Sequence, residues 1–435
     1  MPAPDHRQLT NQYQLSPDAA RIIRVQALRA IAYGAGSVLI GVSLNAAGLS
    51  GLAIGVVLAS LLIGSAAASV VLGRYGDRIG RRRCYLTLLV VMALAGTAFA
   101  LTTWPPLLVL AAITGTVSPD VVESGPFTSL EQAMLPHTTS SDPTRLFGRY
   151  NTVATLAGSA GAALVALLAL AGTNDRRLLL IYPLLALAAI PSAAGLTAGI
   201  EQGHELSRAD APPLGQSRPI VQRMAALFAL DSFGGGFVVN AYIAYYLARR
   251  FNASTELIGV LFFGIGVLQA VSFQAAVRLS ERIGLLRTMV FTHLPSNLLL
   301  AAIPFATTLP ATITLLLGRF ALSQMDVPPR QAYVVAVVTP DERTAAAAYT
   351  NSARYAVRPA SPLLTGLLVQ ADLIGAPFVI AGVVKVAYDV GFWTLFRGVS
   401  LTTGRPGGAP DPHAHVDTGG RSVAADHVDG SPPAP

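Results

Sequence analysis

The stretch GRYGDRIGRRR at residues 73–83 lies between two apolar runs, one at 50–73 and the other at 84–103. Each run is about as long as the roughly 20 apolar residues that a helix needs to cross the hydrocarbon core of a bilayer. The stretch between them carries five arginines and is too short to fold alone. This order predicts two membrane-spanning helices joined by a short loop at the inner membrane surface, where arginine and lysine accumulate.

The composition extends this prediction to the whole chain. Of its 435 residues, 52% are hydrophobic and only 12% are charged, which is too little charge for an ordinary water-facing surface. The mean hydropathy is +0.54. We predict twelve membrane-spanning helices. They lie at 24–45, 50–73, 84–103, 106–136, 147–172, 178–200, 224–247, 257–276, 288–309, 311–338, 345–369 and 375–395.

The positions of the basic residues predict the orientation. With both termini in the cytoplasm, the inner loops, tails and adjoining span ends hold 19 of the 30 lysines and arginines. The outer loops hold only Arg176, Arg177, Arg249 and Arg250. This distribution predicts a multi-pass protein of the cytoplasmic membrane, and it accounts for the net charge of +7 without a nucleic-acid partner.

Two polar regions divide the chain. A proline-containing stretch follows the sixth run, and a tail rich in Gly, Pro and Asp follows the twelfth and cannot bury a core. The predicted parts are a cytoplasmic N-terminal tail at 1–23, a six-helix bundle at 24–200, a cytoplasmic linker at 201–220, a second six-helix bundle at 221–397 and a disordered tail at 398–435.

The two predicted bundles resemble each other in sequence. ALRAIAYG from Ala27 matches ALDSFGGG from Ala229, and GDRIGRRR from Gly76 matches SERIGLLR from Ser280. The matches keep the same order at an offset that drifts between 202 and 204 residues. Such a repeat predicts a pseudo-two-fold arrangement with a binding site between the halves, near the middle of the bilayer.

The loop at 73–83 resembles the loop motif Gly-x-x-x-Asp-Arg-x-Gly-Arg-Arg of the major facilitator superfamily, and it stands directly after the second span, as in that family. The resemblance covers residues 24–395 and implies an all-α membrane fold of twelve helices in two pseudo-symmetric bundles. It also implies that the loop gates alternating access. The gating residues carried over from the motif are Gly73, Asp77, Arg78, Gly80, Arg81 and Arg82.

Charged residues inside the predicted spans are the candidates for a functional site. A charge at the bilayer centre costs about 2.5–3.5 kcal/mol on insertion scales, so each needs a partner or a wet cavity. The resemblance implies that spans 1, 4, 7 and 10 surround a central cavity. The candidates on these spans are Arg29, Glu123, Glu131, Asp231, Asp326 and Arg330.

The repeat predicts how these charges pair. Arg29 is equivalent in position to Asp231, so we expect Arg29 to pair with Glu123 or Glu131, and Asp231 to pair with Arg330. A carboxylate that changes surroundings during transport would gain and lose a proton, which makes Asp231 the leading coupling candidate. Permanent structural salt bridges are the alternative.

Two further features carry predictions. Pro126 and Pro329 stand at equivalent places in spans 4 and 10 and predict kinks that act as hinges, or packing kinks alone. On span 12, Lys385 and Asp389 are four residues apart, which predicts a local ion pair.

The predicted function is secondary active transport of a small solute, coupled to protons, with efflux by antiport favoured. Uptake by proton symport and a non-transporting sensor or membrane enzyme are the alternatives. No phosphate-binding loop is present, since the sole lysine follows Val384, and no His-Glu-x-x-His motif occurs. We therefore predict no catalytic residue, cofactor or metal, and a monomer whose partners are the bilayer, the solute and protons.

Overall fold

The computed structural model describes residues 16–118, 120, 125–135, 143–173, 176–201, 214–339 and 342–399. In these residues the secondary structure is helical throughout, which confirms the all-α prediction. The helices are α1 Pro17–Ala46, α2 Gly51–Ile79, α3 Arg81–Leu101, α4 Pro105–Ala112, α5 Pro126–Met134, α6 Pro143–Leu170, α7 Ile181–Ala194, α8 Arg218–Phe237, α9 Asn240–Phe251, α10 Thr255–Ile283, α11 Leu285–Ala302, α12 Leu309–Ser323, α13 Val327–Ala336, α14 Arg343–Val357, α15 Ala360–Gln370 and α16 Ala376–Phe396.

Nine helical segments of the described chain are long and apolar enough to cross a membrane. They correspond to nine of the twelve predicted spans. The other three predicted spans, at 106–136, 311–338 and 345–369, are each divided into two shorter helices. The structure is therefore consistent with twelve spans, three of which are formed by two shorter helices rather than by one long apolar segment.

The divisions in spans 4 and 10 correct the prediction of kinked helices. Pro126 lies in the first turn of α5, after α4 has ended at Ala112. Pro329 lies in the first turn of α13, after α12 has ended at Ser323. Proline has no N–H to bond the preceding turn, but the first turn needs none, so it starts a helix rather than bending one.

All the described residues belong to one compact unit. The predicted linker falls largely outside the described residues, and the boundary between two bundles stays a prediction. For reference, we call residues 16–201 the N-terminal half and 214–399 the C-terminal half.

The two halves pack together mainly through three pairs of helices, α1 with α9, α2 with α15, and α6 with α10, and α1 also contacts α10. In the second pair, a Cβ on Gly55 would lie 2.6 Å from the Cα of Gly366, so these backbones meet because neither residue has a side chain. This contact lies between the first turns of α2 and the last turns of α15. We call this end of the bundle the closed end, and the end with loop 73–83 the arginine-rich end.

The loop at the arginine-rich end is a tight turn between α2 and α3. The predicted loop at 73–83 is shorter than expected, because residues 73–79 end α2 and residues 81–83 begin α3. Gly80 is the single residue between these helices and has φ of 99°, a conformation that favours glycine. Glu201 accepts hydrogen bonds from the backbone N–H groups of Arg81 (2.8 Å) and Arg82 (3.0 Å). Its carboxylate therefore satisfies the free N-terminus of α3.

Candidate functional site

The N-terminal half contains a fully enclosed carboxylate. Glu131 on α5 is 0% exposed and accepts a hydrogen bond of 2.7 Å from the guanidinium of Arg29 on α1. The hydroxyls of Tyr85 (2.6 Å) and Tyr150 also donate to it. The predicted pairing of Arg29 with Glu131 is therefore present. We call these four residues with Phe127 the Glu131 cluster.

Aromatic rings complete that cluster. The Arg29 guanidinium carbon lies 5.2 Å from the ring centre of Tyr33 and 4.9 Å from that of Phe127. A cation over aromatic faces gains electrostatic energy, and more so when it is buried, as Arg29 is. One cation, one carboxylate and two hydroxyl donors thus balance one another.

The C-terminal half has a carboxylate that is shared between two cations. Asp231 on α8 is 4% exposed, and its Oδ1 lies 2.5 Å from the Lys385 ammonium on α16. Its Oδ2 lies 3.5 Å from Arg330 on α13, and Arg330 also bonds Asp326 at 2.8 Å. The predicted pairing of Asp231 with Arg330 is present, but the lysine makes the shorter contact. We call these four residues the Asp231 cluster.

The predicted pair of Lys385 with Asp389 is wrong. Asp389 accepts hydrogen bonds of 2.8 Å from Asn297 and shares a 2.8 Å contact with Nδ1 of His293, both on α11. The other ring nitrogen of His293 lies 3.8 Å from Asp231. Although the spacing places Lys385 and Asp389 one turn apart, their side chains contact different neighbouring helices, so the local rule does not apply.

An ion pair joins the two halves. Asp120, between α4 and α5, pairs with the guanidinium of Arg358, which follows α14. The same carboxylate accepts a 3.0 Å hydrogen bond from the backbone N–H of Asn240 at the start of α9. Asp120 therefore holds two elements of the C-terminal half.

The loop residues carried over from the motif form contacts within the N-terminal half. The Arg81 side chain is buried and donates to the carbonyl oxygens of Ala133 and Ile200, each at 3.1 Å. It thereby ties α3 to the ends of α5 and of the helical turn Ala198–Glu201. Gly73 and Arg78 lie in the last turns of α2, and Arg82 lies in the first turn of α3. The side chain of Asp77 lies outside the part of the chain that the structure describes.

Glu123 also lies outside the described residues, as do most of both predicted tails. Among the described candidates, Arg29 meets Glu131, while Asp231, Asp326 and Arg330 meet in one cluster. The contacts of Lys385, His293, Asn297 and Glu201 were not predicted from the sequence. A signal did exist for two of them, since His293 and Asn297 are polar residues one turn apart in an apolar run.

Comparisons with known proteins agree with this architecture. Residues 24–214 and 224–427 match the sequence profile of the family described as Major Facilitator Superfamily. An uncharacterized membrane protein of Saccharomyces cerevisiae is 26% identical over 413 residues, which cover 86% of this chain and 92% of the yeast protein.

Two solved structures have a similar fold. A mutant of the nucleoside transporter NupG superposes with a TM-score of 0.72 at 14% identity, covering 87% of this chain and 100% of that chain. A D-xylose-proton symporter superposes with a TM-score of 0.66 at 16% identity, covering 89% and 99%. At such identities the likeness shows the fold alone.

Proposed function

The chain belongs to the major facilitator superfamily, and from that premise we propose that it couples the movement of a small solute to protons across the cytoplasmic membrane. The family and the fold make it a multi-pass membrane transporter rather than an enzyme. Proton coupling, direction, orientation and the identity of the membrane are the parts that we propose.

The Asp231 cluster carries the proposal. A buried carboxylate stays ionised only while cations stabilise its charge, and Asp231 depends on Lys385 and on an arginine that also binds Asp326. Protonation of Asp231 would leave Arg330 with Asp326 and would release Lys385. Protonation of this one carboxylate therefore changes which cations of the site are paired.

Rocking of the halves supplies the other requirement of coupling, access from alternate sides. The named contacts between the halves include the meeting of α2 with α15 at the closed end and the ion pair of Asp120 with Arg358. Opening this end while the arginine-rich end closes would expose the site to the other side of the membrane. We propose Asp326 and Arg330 as coupling residues with Asp231. The Glu131 cluster is proposed as a cavity wall, together with Glu123.

We propose that the loop at 73–83 gates this movement, with Gly73, Asp77, Arg78, Gly80, Arg81 and Arg82 as its residues. The contacts of Arg81 with Ala133 and Ile200 support this role, since they transmit a shift of α3 to α5 and to the turn after α7. Asp77→Asn should then lower flux while membrane insertion stays normal. Normal flux of an Asp77→Asn variant that inserts into the membrane would contradict the proposed gating role.

The proposed direction is efflux by antiport. If the arginine-rich end faces the cytoplasm and opens to the site, an ionised Asp231 bound to Lys385 would meet the solute on the side from which an exporter takes it. Uptake by symport is the second candidate. The cations around Asp231 favour it, because a proton on Asp231 would free Lys385 to bind an anionic solute, so that both are carried together.

The first experiment is a transport screen with a deletion strain, covering drugs, metals and organic anions. A hit that accumulates in the deletion strain indicates efflux, and one that is depleted there indicates uptake. Proteoliposomes then give its flux with and without a pH gradient. We expect Asp231→Asn to retain exchange of labelled for unlabelled solute but to lose accumulation driven by the gradient.

The control is Asp372→Asn. It removes an exposed carboxylate of the same half, in the turn between α15 and α16, that is not part of the Asp231 cluster. This variant should keep accumulation driven by the gradient. If Asp231→Asn also keeps it, Asp231 is a structural partner and the proposed coupling site is wrong.

A further inference from the structure

Helix α12 carries two buried polar atoms that have no hydrogen-bond partner among the described residues. They are Nε of Arg319 and Oγ of Ser323. The two residues are four apart, so they lie on the same face of the helix, one turn from each other. Buried polar groups are almost always hydrogen-bonded, and two unbonded groups side by side therefore indicate a place for something outside the chain.

The guanidinium of Arg319 is held but not neutralised. It lies 4.5 Å over the ring of Phe320, and its backbone carbonyl accepts a bond from Ser296. The carboxylates within its electrostatic range are Asp231 and Asp120. Both of these are bound elsewhere, one by Lys385 and the other by Arg358.

The charges around Asp231 do not balance. Arg354 on α14 is also within electrostatic range of Asp231 and Asp326. The described part of this region thus has four cations near three carboxylates, since Asp389 joins Asp231 and Asp326 through the contacts of His293 with both Asp231 and Asp389. The four cations are Arg319, Arg330, Arg354 and Lys385. Unbalanced positive charge inside a membrane protein is costly and attracts an anion.

We propose that the α12 face formed by Arg319 and Ser323 binds the acidic group of the transported solute, so that the substrate is an organic anion. A guanidinium donates to carboxylate or phosphate oxygens, and the serine hydroxyl adds a donor on the same face. The inference rests on the proposed transport function. It holds for either direction, because it concerns the charge of the solute and not the sign of the flux.

The competing explanation is an internal partner. Glu123 lies outside the described residues, and its carboxylate is the alternative occupant of the Arg319 site. If Glu123 neutralised Arg319, its removal would free the guanidinium for added anions. The variant Glu123→Gln therefore belongs in the test.

The test measures thermal unfolding of the full-length protein in detergent, because a ligand that binds the folded state raises Tm. The probe is the small-molecule extract of the expressing cells, separated on an anion exchanger into a retained fraction and a flow-through. We expect the retained fraction to raise Tm and the flow-through to leave it unchanged. Prior treatment with phosphatase removes the effect if the acidic group is a phosphate ester and preserves it if the group is a carboxylate.

Variants assign the effect to the site. Arg319→Gln should raise the amount of retained fraction needed for half the shift by at least about a hundredfold, since it removes a charge-assisted bond. Arg319→Lys, which keeps the charge, should cost about tenfold, as should Ser323→Ala. The matched control Arg250→Gln changes an exposed arginine of α9 and should have no effect.

Three results would overturn the inference: stabilisation by the flow-through instead of the retained fraction, an unchanged response of Arg319→Gln, or a tenfold stronger response of Glu123→Gln. Because Arg319→Lys retains the cation, it reports on the site even if Arg319→Gln folds poorly. If the Tm experiment fails to show the anion site but Asp231→Asn loses gradient-driven accumulation, the proposed transport function still holds. If the Tm experiment shows the anion site but Asp231→Asn keeps gradient-driven accumulation, the anion site holds and Asp231 is not the coupling residue.

Discussion

The two halves each bury a carboxylate beside an arginine, but they neutralise it in opposite ways. Glu131 is enclosed by one cation and two tyrosine hydroxyls, each bonded to the same carboxylate. Asp231 contacts two cations, and one of these is shared with Asp326. The first cluster is balanced within itself, whereas the second has two further cations, Arg319 and Arg354, within electrostatic range.

This difference indicates different roles for the two halves. A carboxylate held by three short hydrogen bonds from three different helices resists both protonation and exchange of partners, so the Glu131 cluster is suited to fixing α1, α3, α5 and α6 together. A carboxylate with competing cations can lose one and keep another. The mobile charges of the transporter are therefore expected in the C-terminal half.

The largest expected effect is on stability, from Glu131→Gln. The substitution leaves Arg29 as an unpaired buried cation, which costs about 3–5 kcal/mol. The measurement is Tm of the purified protein, with Glu281→Gln as a control at an exposed carboxylate of α10. That control should stay within about 0.5 kcal/mol. Equal unfolding of the two variants would contradict the structural role of Glu131.

A smaller stability effect is expected from Asp231→Asn. Only Lys385 loses its partner, since Arg330 keeps Asp326, and we expect a loss of about 2 kcal/mol. The double variant Asp231→Asn/Lys385→Met should recover most of this, with a coupling energy of about 1–3 kcal/mol in a double-mutant cycle. Additive losses of stability would show that Lys385 and Asp231 do not interact. A second cycle with Arg330→Gln in place of Lys385→Met tests the interaction of Asp231 with Arg330.

A third effect concerns the contact between the halves. Asp120→Asn removes the ion pair with Arg358 and should open the closed end about fivefold more often, equivalent to roughly 1 kcal/mol. The reporter is the maleimide labelling rate of Ser159→Cys in a Cys84→Ser background. Ser159 lies against Gly266, where α6 meets α10.

The control for this measurement is Asp372→Asn, an exposed carboxylate at the closed end, in the turn between α15 and α16. It should label at the rate of the unmodified background. Identical rates for Asp120→Asn would mean that the ion pair does not hold the halves together.

The smallest effect is a pH dependence outside the spans. Hydrogen bonds from Ser217, and from the backbone N–H of Gly215, lower the pKa of Glu342. A lowered folded-state pKa stabilises the protein at pH values above the ordinary glutamate value of 4.5, and this contribution fades as the pH falls through the folded pKa. Glu342→Gln should lower Tm at pH 7, and the difference from wild type should shrink toward pH 4. A constant difference would exclude this origin.

Part of the site was predictable, because some pairings follow from the repeat. The pairing of Asp231 with Arg330 was expected, and Arg29 was expected to pair with Glu123 or Glu131, of which the structure shows the pair with Glu131. The pairing of Lys385 was not expected, since its local spacing indicated Asp389 while its partner is Asp231, 154 residues away. A helical period states which residues share a face but does not state which helix that face meets.

The sequence by itself determined the membrane class, the all-helical fold, the family and the short basic loop after the second span, because each depends on the length of apolar runs and on local residue order. Only the tertiary structure decided where spans 4, 7, 10 and 11 divide, that Glu201 satisfies the start of α3, and that Asp120 pairs with Arg358, 238 residues away. These contacts depend on which helices become neighbours. That choice is made by packing over the whole chain, and no local pattern encodes it.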